Sequence, residues 1–428
     1  MKLKIKEIIP LNFEFDARLK APPSKSYTHR ALFIAALSEG KSKIIDPLIS
    51  DDIKYTLDSL KKLGVKITDN FDKDQNIISV EGTGGNLKEP SSPLYIGNSG
   101  TTLRFLMALV SLVNGTVIID GSEEVRKRPV KGIEDSLRKL GVSVDTNKGC
   151  PPVKITSNGV IGGKTELEPS QSSQYLSSLL LTSPYSNSTI KIKVTGQLPS
   201  SPYVDMTLDV MEKFGVSVLR KNYSEFVITP SKYVGGNYIV EGDFSNSSYF
   251  MAIAAISGGR IVIENLNKNS KQADRVFVDI LEKMGCKVSW ENNLLVLEGR
   301  ELRGLEIDMK RSPDIVPTLA VVSAFAKDPT KIYNIETLRF KETDRLSAVA
   351  NELSKIGCKV EEGSDYLIIV PGKLKGAKIE TYKDHRMAMS FAVAGLFING
   401  IKICDPDCVS KSYPNFWKDF SKISRGIN

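Results

Sequence analysis

One phrase recurs five times along this chain: an amphipathic helical pattern, an apolar residue and a glycine, then Val or Cys and an alternating stretch. It reads LKKLGVKI ending at Ile67, LRKLGVSV at Val144, MEKFGVSV at Val218, LEKMGCKV at Val288 and LSKIGCKV at Val360. The glycines Gly64, Gly141, Gly215, Gly285 and Gly357 stand 77, 74, 70 and 72 residues apart. Each suits the position just past a helix, where φ > 0 lets the chain turn into a strand. Such a period means one supersecondary unit used repeatedly, which narrows the possible folds sharply. Cys286 and Cys358 fill the slot held elsewhere by Val65, Val142 and Val216, so they read as core residues.

A second phrase alternates with the first: a polar or small-residue loop, an apolar helix, a turn and a β-branched strand. Its six copies open at Ser24, Asn98, Ser172, Ser245, Ser312 and Asp384. A weak sixth copy of the first phrase, YPNFWKDFSKI, closes the chain without its glycine. The unit is therefore helix–strand–helix–strand–strand, and 428 residues hold six of about 71 each. Its first helix is apolar all round and should be buried; its second is amphipathic and should cover a sheet.

Six units exceed what one core organises, which predicts two three-unit domains. The Gly-rich YVGGNY (Tyr233–Tyr238) marks the division. One domain is expected over 18–237, the other over 1–17 plus 238–428, with the strand Lys2–Pro10 completing the sheet of the last unit. The fold class is α/β: two similar domains, each of three βαβαββ repeats, arranged like an inside-out α/β barrel, with the active site in the interdomain cleft.

The longest runs without charge, Phe105–Ile119 and Met387–Ile401, have 15 residues each, short of the ~20 that a membrane helix needs. MKLKIKEIIPLNFEFDAR has no apolar h-region, so the expected location is the cytoplasm. Five cysteines without a C-x-x-C pair argue against a disulfide framework, and two histidines, His29 and His385, exclude a histidine-rich metal site. The net charge of +8 is spread along the chain, which fits a small anionic substrate better than a nucleic-acid groove.

Functional side chains crowd into the loops that feed the first helix of each unit. A helix N-terminus is an anion site, because its free N–H groups and dipole both favour negative charge. The first loop offers Lys25, Ser26 and Arg30; the second Asn98, Gly100 and Arg104; the third Ser172, Ser173 and Gln174. The fifth carries Asp314, and the sixth Asp384, His385 and Arg386. RKRP (Arg126–Pro129), SSPY (Ser200–Tyr203), KETDR (Lys341–Arg345) and Lys411 add to them. So many Arg, Lys and hydroxyl groups with few acids suit substrates bearing phosphate and carboxylate.

With PPSKSYTHRAL, GNSGTTLRFL, RKRP, SSQYL, SSPY, LRFKETDRL, DHRMAM and DPDCVSKSYP in that order, residues 22–414 resemble the 5-enolpyruvylshikimate-3-phosphate synthase family. The resemblance implies transfer of the enolpyruvyl group of phosphoenolpyruvate to the 5-hydroxyl of shikimate 3-phosphate, with loss of phosphate. It implies no metal or organic cofactor, no nucleic-acid or membrane partner, and a monomer. It assigns Asp314, Glu342 and Lys25 to catalysis. Phosphoenolpyruvate would meet Lys25, Asn98, Gly100, Arg128, Gln174, Arg345, Arg386 and Lys411. Shikimate 3-phosphate would meet Lys25, Ser26, Arg30, Ser172, Ser173, Gln174, Ser200, Tyr203, Asp314 and Lys341.

Two positions depart from the family pattern: Phe105 stands where many members have proline, and Thr337 where many have an asparagine that touches shikimate 3-phosphate. Asp314 also reads as a helix N-cap, and Asp344 as the cap of the helix after KETDR. The two histidines, each beside an arginine, read as orienting groups. The competing functions are a UDP-N-acetylglucosamine enolpyruvyl transferase, disfavoured by the absence of cysteine from DGSEEVRKRP, and an RNA-end-processing or RNA-binding protein, disfavoured by 7% aromatic content.

Overall fold

The computed structural model describes residues 4–72, 75–291 and 294–424. Lys2 and Leu3 of the expected first strand lie outside the described residues. All five repeat glycines follow a helix with φ between +86° and +119°. Gly64, for example, donates its N–H to the carbonyl of Lys61 and turns the chain after the helix Asp51–Lys62.

Each unit follows one pattern, seen in full over residues 94–158. The strand Leu94–Tyr95 runs parallel to Asn114–Asp120, with the buried helix Gly100–Leu109 between them. The helix Lys131–Lys139 then leads to Ser143–Asn147, and Cys150–Asn158 inserts antiparallel between that strand and Asn114–Asp120. Five four-stranded sheets and one three-stranded sheet are built this way among the described residues. In the three-stranded one, Ile5–Glu7 pairs antiparallel with Lys402–Cys404, Ile5 opposite Cys404, so the N-terminal strand completes the last unit's sheet.

The chain divides into two compact units: residues up to Pro22 with those from Gly242 on, and Pro23–Glu241. Residues 18–20, expected with the first domain, belong to the strand Asp16–Lys20, which pairs in parallel with Arg260–Glu264. Residues 238 and 239, expected with the second, belong to Asn237–Ile239, which pairs with Lys43–Ile45. Each strand is adjacent in sequence to a helix of one unit and hydrogen-bonded into a sheet of the other. Backbone pairing rather than the Gly-rich turn sets the crossing points.

Each unit has its own core. In Pro23–Glu241, the helices Lys25–Leu37, Gly100–Leu109 and Gln174–Thr182 pack on one another, and Tyr27–Leu37 are all buried. In the other unit the helices Phe244–Ser257, Val316–Ser323 and His385–Gly395 do the same. Cys286 and Cys358 are buried in the core slot. No helix among the described residues is long and apolar enough to cross a membrane.

Candidate active site

In the unit Pro23–Glu241, Ser24 caps the first buried helix by accepting from the N–H of Tyr27, which sets Lys25 at its first turn. The Lys25 ammonium lies 3.2 Å from the carboxylate of Asp52, a residue only 3% exposed. Sequence reasoning passed over Asp52. Its one signal, an acid at the start of the helix Asp51–Lys62, matches ordinary dipole-compensating placement.

Arg30 is buried, and its guanidinium donates to the carbonyls of Ser26 (2.9 Å) and Tyr203 (2.8 Å) and to Thr207 Oγ1 (2.8 Å). It thereby joins the first loop to the SSPY segment, where Ser200 takes φ +51° and accepts from the N–H of Tyr203. Burial pulls the Arg30 guanidinium down to about 10. Phe105, the departure from the family pattern, lies under it with its ring centroid 5.4 Å from the guanidinium carbon and edge-on to Phe33. His29 Nδ1 lies 3.0 Å from Thr56 Oγ1.

The second and third loops meet through side chains. Arg104 donates to Gln174 Oε1 at 2.8 Å, and Gln174 Nε2 donates to Thr101 Oγ1 at 3.0 Å. Ser172 Oγ accepts from the N–H of Gln174 (3.2 Å), and Ser173 is buried beside it. Ser99 caps the helix that Gly100 begins, with Asn98 half-buried just before it. The buried Arg128 guanidinium lies against Gly100. Lys25, Gly100, Arg128 and Gln174 thus share a unit with Ser26, Arg30, Ser200 and Tyr203.

The other unit concentrates charge. Asp314 sits in a 3₁₀ turn, Pro313–Ile315, ahead of the helix Val316–Ser323, whose cap position is Ile315. Its carboxylate accepts from Lys341 (3.1 Å), Arg345 (3.4 Å) and Arg386 (2.9 Å), and it is 21% exposed. Burial alone would push this carboxyl up, but Arg386, Lys341 and Arg345 together hold it well below the usual carboxylate range. Partial burial pulls the Lys341 ammonium down, against the pull of Asp314.

Arg345 is 1% exposed and spans three carboxylates: Asp314, Glu342 at 2.6 Å and Asp384 at 2.8 Å. Asp384 also caps the helix His385–Gly395, accepting from the N–H of Arg386. His385 is buried with Nδ1 3.7 Å from Asp384, and Lys411 lies 3.7 Å from Glu342. Asp344 caps the helix Arg345–Lys355 through the N–H of Ser347. Thr337, where many family members have asparagine, is buried, and its hydroxyl has no hydrogen-bond partner among the described residues. Lys341, Arg345, Arg386 and Lys411 face Asp314, Glu342 and Asp384, so this cluster keeps a positive excess suited to an anion.

Asp274 was also missed. It is 1% exposed, accepts from the hydroxyl of Ser245, and belongs to the 3₁₀ turn Ala273–Arg275, which Ser312 holds through the carbonyl of Ala273. Burial, then the negative charge of Asp314, pushes this carboxyl up to about 7. Nothing local in the sequence distinguishes it from a surface acid.

A family model described as EPSP synthase (3-phosphoshikimate 1-carboxyvinyltransferase) matches residues 13–420. The chain is 41% identical over 421 residues to the 3-phosphoshikimate 1-carboxyvinyltransferase of Histophilus somni strain 2336, covering 96% of this chain and 97% of the relative. It is 41% identical over 416 residues to that of Sulfurovum sp. strain NBC37-1, with 96% and 97% covered. Among solved structures, an EPSP synthase from Acinetobacter baumannii superimposes with a TM-score of 0.82 at 28% identity, over 99% of this chain and 98% of that one.

Proposed function

The chain belongs to the EPSP synthase family, and on that premise we infer how its own residues perform the transfer. It is a 3-phosphoshikimate 1-carboxyvinyltransferase of the shikimate pathway: the enolpyruvyl group of phosphoenolpyruvate passes to the 5-hydroxyl of shikimate 3-phosphate and phosphate leaves. UDP-N-acetylglucosamine and RNA are not favoured as substrates, since the family match and the relatives all carry the 3-phosphoshikimate activity.

The observation that carries the residue assignment is the Asp314 carboxylate held by Lys341, Arg345 and Arg386. A carboxylate so stabilised is a weak base. Phosphoenolpyruvate brings its own carboxylate and phosphate, and these take over hydrogen bonds from the arginines. With its cations partly neutralised, Asp314 gains proton affinity and accepts the proton of the attacking 5-hydroxyl. Glu342, bonded to Arg345, serves the methylene carbon, which gains a proton on addition and loses it on elimination from the tetrahedral intermediate. Lys25, ion-paired with Asp52, holds phosphate and helps to protonate.

The donor clamp comprises Arg128, Arg345, Arg386, Lys25 and Lys411, with Asn98, Gly100 and Gln174 completing it. Shikimate 3-phosphate engages Lys25, Ser26, Arg30, Ser172, Ser173, Gln174, Ser200, Tyr203, Asp314 and Lys341, and Arg30 also donates to the carbonyls of Ser26 and Tyr203. The same reading takes the enzyme to be a cytoplasmic monomer. Phosphate release from phosphoenolpyruvate, assayed with each acceptor in turn, tests the whole reading. Release is expected with shikimate 3-phosphate and not with UDP-N-acetylglucosamine; the reverse would overturn it.

A further inference from the structure

Directly before Asp384 the chain holds two consecutive non-glycine residues in the left-handed region, Tyr382 at φ +53° and Lys383 at φ +56°. Side chains rarely adopt this conformation, and it persists only where the surroundings over-determine it. This turn delivers the chain into the charged cluster. Asp384 receives Arg345 Nε and caps the helix that starts at His385, and Arg386 reaches Asp314 at 2.9 Å.

Glu352 holds the other side of that turn. Its carboxylate is fully buried, and it accepts from the N–H of Glu380 (3.2 Å) and from the Tyr382 hydroxyl (2.7 Å), with Lys355 Nζ at 2.8 Å as counter-ion. Arg345 and Glu352 are seven residues apart on the helix Arg345–Lys355, about two turns, so they lie on one face roughly 10 Å apart. One helix therefore grips the segment at both ends, at 380 and 382 through Glu352 and at 384 through Arg345. Burial and the nearby carboxylate push the Tyr382 phenol up to about 12, so it remains a hydrogen-bond donor.

A buried carboxylate that served only packing would be costly here, since an apolar side chain would fill the space without desolvating a charge. We propose that Glu352 is a positioning residue for the transfer, acting through the Tyr382–Lys383 turn to aim Arg386 at the donor. The proposal rests on the reading of Arg386 as part of the donor clamp. Neither Glu352 nor Tyr382 is placed at the reacting atoms.

Tyr382→Phe removes one hydrogen bond and leaves the Glu352 carboxylate its Lys355 and Glu380 contacts, so the fold should persist. Glu352→Gln keeps the shape and loses the charge. Both should raise KM for phosphoenolpyruvate about tenfold, the worth of one lost hydrogen bond to a charged group, and leave KM for shikimate 3-phosphate unchanged. In an Arg386→Lys background, Glu352→Gln should add little, because both changes act through one guanidinium. Equal shifts in both KM values, or full additivity with Arg386→Lys, would overturn the proposal, as would a lower Tm with unchanged kinetics. If Arg386→Lys alone leaves the phosphoenolpyruvate KM unchanged, the clamp reading fails instead.

Discussion

Gly100 begins a buried helix directly against the Arg128 guanidinium, and a β-carbon built at residue 100 would fall well inside contact distance of that guanidinium. The obstructed group is the far end of a flexible side chain rather than backbone, so Gly100→Ala should fold normally and push Arg128 aside. Losing one well-aimed charged hydrogen bond costs about 1.5–3 kcal/mol, or roughly 10–100-fold in affinity. Steady-state kinetics should therefore give a phosphoenolpyruvate KM raised by about that factor, with Tm near wild type. An unchanged KM would remove Arg128 from the donor clamp.

Asp314→Asn should lower kcat by about 10²–10⁴, the usual worth of a positioned acid or base. It also leaves Lys341, Arg345 and Arg386 with one negative partner fewer, so both anionic substrates should bind at least as well as before. The split between kcat and KM is the readout. Near-normal turnover would rule out the base assignment.

Arg386→Lys retains the charge but loses the planar fork that reaches Asp314 and would pair with a carboxylate or phosphate of the donor. KM for phosphoenolpyruvate should rise much more than KM for shikimate 3-phosphate. A parallel rise in both would argue for general disorder of the cluster rather than loss of a donor contact.

Asp274 and Asp314 give opposite pH dependences. Asp274 holds its proton more tightly folded than unfolded, so its contribution to stability is greatest below the unfolded carboxylate value near ~4 and declines as the pH rises to about 7. Asp314, held low by its cations, contributes stability above that unfolded value and loses it as the pH falls through the folded one. Asp274→Asn keeps an acceptor for the Ser245 hydroxyl and removes the ionisation. Thermal unfolding from pH 4 to 8 should then show the variant gaining on wild type as the pH rises. A Tm difference that stays constant over that range would contradict a buried, protonation-sensitive Asp274.

Features set by neighbours in the chain were legible in the sequence. Gly64, Gly141, Gly215, Gly285 and Gly357 mark helix ends because a positive φ is a local demand, and all five adopt it. The burial of Tyr27–Leu37 followed from a helix apolar on every side, and the Asp344 cap from a single turn of chain. The loops carrying Lys25, Gln174, Asp314 and Arg386 stood out because anion chemistry draws on few residue types, repeated here at equivalent points of a periodic unit.

Tertiary structure decided what depends on partners distant in sequence. The strands Asp16–Lys20 and Asn237–Ile239 each pair more than 190 residues away, so no local pattern could assign them to a sheet. The ion pair of Lys25 with Asp52, the placement of Asp274 beside Asp314, and the hold of Glu352 on the turn at Tyr382 arise the same way. An acid's role is set by what its charge meets across space, and in sequence Asp52, Asp274 and Glu352 look like any acid of a soluble helix or turn. The sequence by itself determined the repeating unit and the kinds of side chain at its loops; folding determined which of those charges neutralise one another and which are left for a substrate, because electrostatic energy depends on distance and burial rather than on order along the chain.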